Sequence, residues 1–188
     1  MCHDLAGLAG TLAGSLQLAQ EDIARDGSGE AIAFAREVAD ALVRRLRLLR
    51  AALGPVADPL AAPGIADLAA GMGEKLHVDV SRLGPEPLPA PLARLALAML
   101  LLGAEALPLG GTLHLAVGED GTLSVTATGP RAAWPPGTAQ GIAGILPDTP
   151  RELLAPISSL LARAAGCELA AKDAPPLLRA TPLRQPQS

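Results

Sequence analysis

The residues best suited to chemistry stand at the start of the chain, in the motif Cys2-His3-Asp4-Leu5. An imidazole has an unperturbed pKa of about 6.5, so much of it is neutral and nucleophilic near pH 7. His3 also begins a stripe with Gly7, Gly10 and Gly14, at steps of four, three and four residues. On a helix this spacing places all four residues on one face. Since glycine has no side chain, another protein could approach the imidazole closely along this face.

This stripe leaves several interpretations open. Asp4 could orient the imidazole of His3 or tune its basicity, or it could only complement the positive end of the helix dipole. Three helical glycines cost roughly 1 kcal/mol each relative to alanine, so a close approach should offset that cost. The approaching group could be a docked protein or a neighbouring helix of a bundle. The chain start, with His3 third, could also chelate Cu²⁺ or Ni²⁺ through its amine and imidazole.

Two long helices are predicted to position this stripe. Apolar residues recur every three or four positions through residues 4–25 and 30–53, which is typical of helices with one buried face. These positions are Leu5, Leu8, Leu12, Leu16, Ala19 and Ile23, then Ile32, Ala35, Val38 or Ala39, Leu42, Leu46, Leu49 and Leu53. The turn residues Asp26-Gly27-Ser28-Gly29 join them into an antiparallel hairpin. Because one hairpin cannot bury both stripes, we expect a homodimeric four-helix bundle.

The remainder of the chain has a different pattern. After the hairpin (residues 1–54), prolines mark a linker over residues 55–63, and a polar tail covers residues 184–188. Residues 64–183 are predicted to form a short helix 65–72, a strand 75–80, an apolar helix 90–107, strands 112–117 and 122–128, a loop 129–147, a helix 148–165 capped by Asp148, and strands 167–171 and 177–181. This order predicts an α+β domain with helices on one face of a mostly antiparallel sheet.

Composition excludes several classes of protein. Aromatic residues make up about 1% of the chain and the formal net charge is −4, which argues against nucleic-acid binding. The two cysteines, Cys2 and Cys167, are far apart and suit a reducing cytosol. The longest uncharged apolar run, residues 95–104, is too short to span a bilayer, and we expect no secretory signal. The sequence therefore predicts a cytoplasmic protein without a membrane segment.

The other reactive residues form no recognisable site in the sequence. His77 and His114 each lie in an alternating strand pattern and are interpreted as surface or hydrogen-bonded histidines. Gly110-Gly111 leads into a strand without a following Lys-Ser/Thr, so it is interpreted as a turn rather than a phosphate-binding loop. Neither a Ser/His/Asp nor a Cys/His constellation can be identified, and no metal-ligand spacing is present.

The order of motifs resembles a known family. The hairpin that opens with His-Asp, followed by an α+β domain, is similar to a histidine kinase core, and most similar to the ChpT-type histidine phosphotransferases of alphaproteobacteria. That family shares the Cys2-His3-Asp4-Leu5 motif. It also shares Glu105-Ala-Leu-Pro-Leu-Gly-Gly-Thr112 and Gly129-Pro-Arg-Ala132, in the same order along the chain. The family usually has a proline five residues after the histidine, where this chain has Leu8.

The resemblance implies a degenerate ATPase-like α/β sandwich after the hairpin. Kinases of this superfamily have an Mg²⁺-binding Asn near the end of the long helix, where this chain has Gly103. They have an adenine-binding Asp on the following strand, where Val125-Thr-Ala-Thr-Gly129 places Ala127. Apolar side chains cannot coordinate a hard cation, which needs oxygen ligands. We therefore expect neither ATP binding nor autokinase activity, and no cofactor of the chain's own.

The function implied is a phosphorelay between response-regulator receiver domains. His3 would accept the phosphoryl group and pass it on, Asp4 would assist, and Gly7, Gly10 and Gly14 would admit the receiver, whose own acidic pocket supplies Mg²⁺. The alternative is a non-catalytic dimeric adaptor that binds receivers after losing phosphotransfer, an alternative favoured by the Leu8 departure. No nucleic-acid or membrane partner is expected.

Overall fold

A computed structural model of the protein describes residues 2–23, 30–55, 58–149 and 152–183, while the side chains of residues 2–6 and 22–23 lie outside that description. The helices described are α1 (Cys2–Ile23), α2 (Glu30–Leu53), α3 (Ala62–Ala69), α4 (Ala90–Glu105), α5 (Thr138–Ile142) and α6 (Leu154–Ala164). The strands are β1 (Leu76–Arg82), β2 (Gly111–Val117), β3 (Leu123–Thr128), β4 (Cys167–Lys172) and β5 (Leu177–Pro182). Within these ranges, no helix combines the length and apolar character that a bilayer crossing demands.

The chain divides into two compact units, Met1–Arg47 and Leu48–Ser188. The first contains α1 and most of α2, the two long helices that the apolar periodicity predicts. The division falls inside α2, ahead of the boundary expected at residue 54. The predicted turn at residues 26–29 and the tail at residues 184–188 lie outside the described residues.

The second unit is built on a five-stranded sheet in the order β1-β2-β3-β5-β4. β1 and β2 are parallel, and the other three neighbouring pairs are antiparallel. The prediction of an α+β fold with a mostly antiparallel sheet is therefore confirmed. Alternate strand residues are buried on one face of the sheet, and the register places them side by side: Leu113, Leu115, Leu123, Val125, Ala127, Leu169, Leu178 and Ala180.

Helices cover this buried face. α4 packs against β2, β3 and β5, with α6 beside it against β4 and α3 against β1. Every residue from Leu95 to Gly103 is buried, which follows from a helix that is apolar on all sides. The core side chains are aliphatic, as the composition predicts. The lone Phe34 is half-exposed, and the lone Trp134 donates its Nε1–H to the carbonyl of Lys172 over 2.7 Å.

Two predictions between residues 129 and 165 are wrong in detail. The expected loop contains α5, a helix of five residues that is too short to produce a periodic pattern. The following helix begins at Leu154 rather than at Asp148, so Asp148 does not cap it. Pro156 lies in the first turn of α6, where a backbone N–H would have no partner within the helix, so proline is tolerated there.

Candidate functional site

His3 and Asp4 lie in the first turn of α1 as judged by the backbone, and their side chains lie outside the described part of the structure. The glycine face below them is described. Gly7, Gly10 and Gly14 are all exposed. A Cβ atom added at any of the three would have no neighbour within 4 Å. Within the first unit this face is therefore an open strip of helix backbone, rather than a contact between α1 and α2.

The buried positions of α1 lie away from that strip. Ser15 and Ala19 are buried, whereas Leu16, which the periodicity places on the buried face, is 51% exposed. Ser15 donates its hydroxyl hydrogen to the carbonyl of Thr11 at 2.7 Å, so its burial leaves no unpaired donor. Because Ser15 and Ala19 have small side chains, another helix can pack closely against α1 at these two positions. The side chain of Leu16 remains on the surface.

α2 also presents apolar side chains to solvent. Ile32, Val43 and Leu46 are between 45% and 48% exposed. At 100° per residue these three lie within about 60° of one another around the helix axis, so they form one stripe. Phe34, also exposed, lies on roughly the opposite side. Of the residues predicted on the buried face of α2, Ala35 and Val38 are buried, whereas Ile32 and Leu46 are exposed.

Gly103 faces the sheet and not an open cleft. A Cβ at this position would lie 3.0 Å from a methyl carbon of Leu113 and 3.1 Å from one of Val125. The leucine and valine thus occupy the space that a longer side chain at position 103 would need. Ala127 is 1% exposed, and its backbone N–H donates to the carbonyl of Pro176 at 2.9 Å. Neither position offers an oxygen or nitrogen side-chain atom to a nucleotide.

The motifs at residues 105–112 and 129–132 pack against each other through their backbones. A Cβ at Gly111 would meet the carbonyl oxygen of Thr128, and one at Gly129 would meet the carbonyl oxygen of Gly110. Gly111 donates its N–H to the carbonyl of Lys75 at 3.0 Å. Glycine is needed because these backbones touch, and at Gly111 also because φ is +147°. Gly110 closes the turn between α4 and β2 by donating its N–H to the carbonyl of Leu107 at 3.0 Å, and Gly111 already begins β2.

Arg94 of α4 donates hydrogen bonds to the last carbonyls of α2. Its Nε donates to the carbonyl of Ala52 at 3.3 Å and its terminal nitrogen to that of Leu53 at 3.2 Å. The last carbonyls of a helix have no partner within it, and a cation there also complements the helix dipole. The sequence provided no signal for this interaction, because the partners are separated by 42 and 41 residues.

A group of hydrogen-bonded side chains that no sequence pattern indicates lies on the outer face of the sheet. His114 Nδ1 is 3.0 Å from Asp79 Oδ2, and His114 Nε2 is 3.2 Å from Thr128 Oγ1. Hydrogen bonds from Ser81, followed by the one from His114, hold the pKa of the Asp79 carboxyl well below its ordinary value. The three residues lie on β1, β2 and β3, so strand register brings them together.

The remaining reactive residues are dispersed. Burial raises the pKa of the Cys167 thiol, which is the free cysteine of the described chain and a small core residue. Among the described residues, the side chain of His77 has no hydrogen-bond partner, and no three His, Cys, Asp or Glu side chains are grouped to hold a metal ion.

Comparison with known proteins agrees with this architecture. The family described as the histidine phosphotransferase C-terminal domain matches residues 61–175. No curated protein matches. A solved structure described as a bacterial phosphotransferase is 24% identical, with a TM-score of 0.76 and coverage of 95% of this chain and 90% of that one. At that identity the likeness shows the fold.

Histidine kinases give weaker matches. The blue-light activated histidine kinase of Erythrobacter litoralis EL346 is 19% identical, with a TM-score of 0.48 and coverage of 89% of this chain and 64% of that one. The Acinetobacter baumannii histidine kinase AdeS is 13% identical, with a TM-score of 0.47 and coverage of 97% and 98%.

Proposed function

The chain belongs to the histidine phosphotransferase family, and from this premise we propose that it relays a phosphoryl group between receiver domains through His3. The observation that carries the proposal is the open glycine strip on α1. Gly7, Gly10 and Gly14 continue the helix face of His3 and leave its backbone uncovered. A receiver could lie along this strip with its phosphorylated aspartate beside the imidazole, and the approach would offset the cost of three helical glycines.

The transfer itself is a pair of displacements at phosphorus. A neutral ring nitrogen of His3 attacks the aspartyl phosphate of the donor receiver, so the N–P bond forms as the P–O bond to the aspartate breaks. The acceptor receiver's aspartate then attacks phosphorus, and the N–P bond breaks. This chemistry depends on positioning and charge neutralisation, with Mg²⁺ held by the receiver. Asp4 either orients the imidazole or complements the positive end of α1.

We propose further that the second unit does not bind ATP. Support comes from Gly103, where Leu113 and Val125 fill the adjacent space, and from Ala127, which is buried without a polar side-chain atom. A nucleotide would find neither a ligand for its Mg²⁺ nor a carboxylate for its adenine at these positions. The unit would then act as a docking and scaffolding surface for the receivers.

The proposed active form is a homodimer in which two hairpins form a four-helix bundle. Its support is the exposed apolar stripe of Ile32, Val43 and Leu46 on α2, with Leu16 on α1. Burial of such side chains in an interface stabilises it by roughly 25 cal/mol for each Å² of apolar surface removed from water. A second copy offers an identical stripe, as a twofold symmetric interface requires.

The test is phosphotransfer from phosphorylated donor receivers to the purified protein, with His3→Ala and His77→Ala beside the wild type. We expect acid-labile label on the wild type and on His77→Ala, and none on His3→Ala. Absence of label on all three, with a folded dimer that still binds receivers in a pull-down, would instead establish the adaptor function. Label retained on His3→Ala would show that another residue carries the phosphoryl group.

A further inference from the structure

On the outer face of the sheet, one imidazole lies within hydrogen-bonding distance of both a carboxylate and a hydroxyl group. Asp79 and His114 are directly paired between β1 and β2, and His114 is paired with Thr126 of β3. Thr128 therefore lies diagonally across from His114, two residues further along β3. The side chains of His114 and Asp79 are 38% and 30% exposed, so the group is accessible to small molecules.

The carboxylate is held in place from its other side. Ser81 donates its backbone N–H to Asp79 Oδ1 at 2.9 Å, which leaves Oδ2 facing His114 Nδ1 at 3.0 Å. An anionic carboxylate at this distance requires a proton on Nδ1. Nε2 of the neutral ring is then an unprotonated acceptor, as in any histidine whose first nitrogen donates to a carboxylate.

The hydroxyl of Thr128 is the group that this acceptor faces. Thr128 Oγ1 is 3.2 Å from His114 Nε2, and the carbonyl oxygen of Thr112 is the competing acceptor at 3.3 Å. One hydroxyl hydrogen can serve only one of them at a time. Thr128 also borders an open surface depression, together with Gly129, Arg131 and Asp173. The oxygen thus has a base on one side, and Thr128 itself is exposed to solvent.

We propose that Thr128 is an acyl-accepting nucleophile, with His114 as its general base and Asp79 as the positioning residue, and that the site takes activated carboxylic esters. A nucleophile within about 3.2 Å of a base that is itself oriented by a third group is the arrangement that such chemistry needs. Thr128 Oγ1 attacks the acyl carbon while its proton passes to His114 Nε2. The ester C–O bond breaks, and the leaving alkoxide or phenolate takes the proton from His114.

The experiment uses the full chain and 4-nitrophenyl acetate. We expect release of 4-nitrophenol in an initial burst of one equivalent per chain, with the acetyl group mapped to Thr128 by peptide mass spectrometry. Thr128→Ala should abolish the burst, and Thr128→Ser should retain it. His114→Gln should slow it by about a hundredfold or more, the usual contribution of a general base. Thr126→Ala is the matched control, because it removes the hydroxyl paired with His114 in register.

The positioning role of Asp79 is tested by NMR. In ¹H–¹⁵N spectra of the imidazole, the wild type should show His114 with its proton on Nδ1, and Asp79→Asn should lose that tautomer along with the burst. An unchanged burst in Thr128→Ala, or acetyl groups mapped only to other residues, overturns the proposal. So does a wild-type His114 that carries its proton on Nε2.

Discussion

At the scale of single residues, Gly103 shows how close packing restricts the side chain at one position. Leu113 and Val125 lie so close that a Cβ at position 103 would be only 3.0 and 3.1 Å from their methyl carbons. We expect Gly103→Asn to destabilise the protein by about 1–3 kcal/mol, because overpacking forces neighbouring side chains from their rotamers. Urea unfolding measures the change, and ATP binding should remain absent in the variant.

Gly64 of α3 is the matched control for that substitution. A Cβ there would lie 3.6 Å from a methyl carbon of Leu60, an ordinary contact distance. Gly64→Asn should therefore leave the free energy of unfolding within about 0.5 kcal/mol of the wild type. A similar loss in both variants would show that packing against the sheet is not the reason for glycine at position 103.

The lowered pKa of the Asp79 carboxyl predicts how the free energy of unfolding depends on pH. Its ordinary pKa is 3.8 and its folded-state pKa is lower, chiefly because Ser81 and then His114 donate hydrogen bonds to the carboxylate. Below pH 3.8 the unfolded chain takes up a proton that the folded chain does not, so the stabilisation present above that pH is lost as pH falls. Asp79→Asn should thus be less stable than the wild type at pH 7.

The check is urea unfolding of both proteins between pH 7 and about pH 2. We expect the difference in unfolding free energy to shrink steadily below pH 4. Asp67→Asn, at an exposed position of α3, should show no such convergence. A difference that stays constant across the acid range would contradict the role assigned to the Asp79 carboxylate.

At the scale of elements, the docking role proposed for the glycine strip can be tested separately from its effect on stability. Gly10→Leu adds a side chain where nothing lies within 4 Å, and leucine is a better helix former than glycine by roughly 1 kcal/mol. We expect thermal unfolding at a higher temperature together with at least tenfold slower phosphotransfer. Ala9→Leu, at a neighbouring exposed position, should leave the transfer rate unchanged. Equal rates in Gly10→Leu and the wild type would exclude the strip as the docking face.

The end of α2 depends on a residue from α4. Arg94→Ala removes both hydrogen bonds to the carbonyls of Ala52 and Leu53. Hydrogen bonds from a charged group contribute about 1.5–3 kcal/mol, so we expect a loss of that order in urea unfolding. Arg163→Ala, at an exposed position near the end of α6, is the comparison and should change stability far less.

At the scale of the whole molecule, the exposed stripe predicts the oligomeric state. Val43→Glu combined with Leu46→Glu places charges in the proposed interface, and we expect a monomer by light scattering where the wild type is a dimer. Phe34→Glu is the control, since Phe34 is as exposed but lies on the other side of α2. It should remain dimeric. A monomeric wild type at micromolar concentration would rule out the bundle.

Local pattern by itself determined most of the elements of this protein, although not α5 or the start of α6. The bounds of α2 agree with the apolar periodicity, and the start of α4 agrees with its proline-led apolar run. Both follow from contacts between near neighbours in sequence. The ordered motifs also predicted the family, which the match over residues 61–175 confirms.

The tertiary structure decided which side chains meet. Asp79, His114 and Thr128 are separated by 35 and 14 residues, and only the order and register of three strands place them within hydrogen-bonding distance. The neighbours of Gly103 and the partners of Arg94 were equally absent from any local pattern. Periodicity reports which face of an element is buried, but it carries no information on which element covers that face. Long-range contacts therefore had to come from the fold.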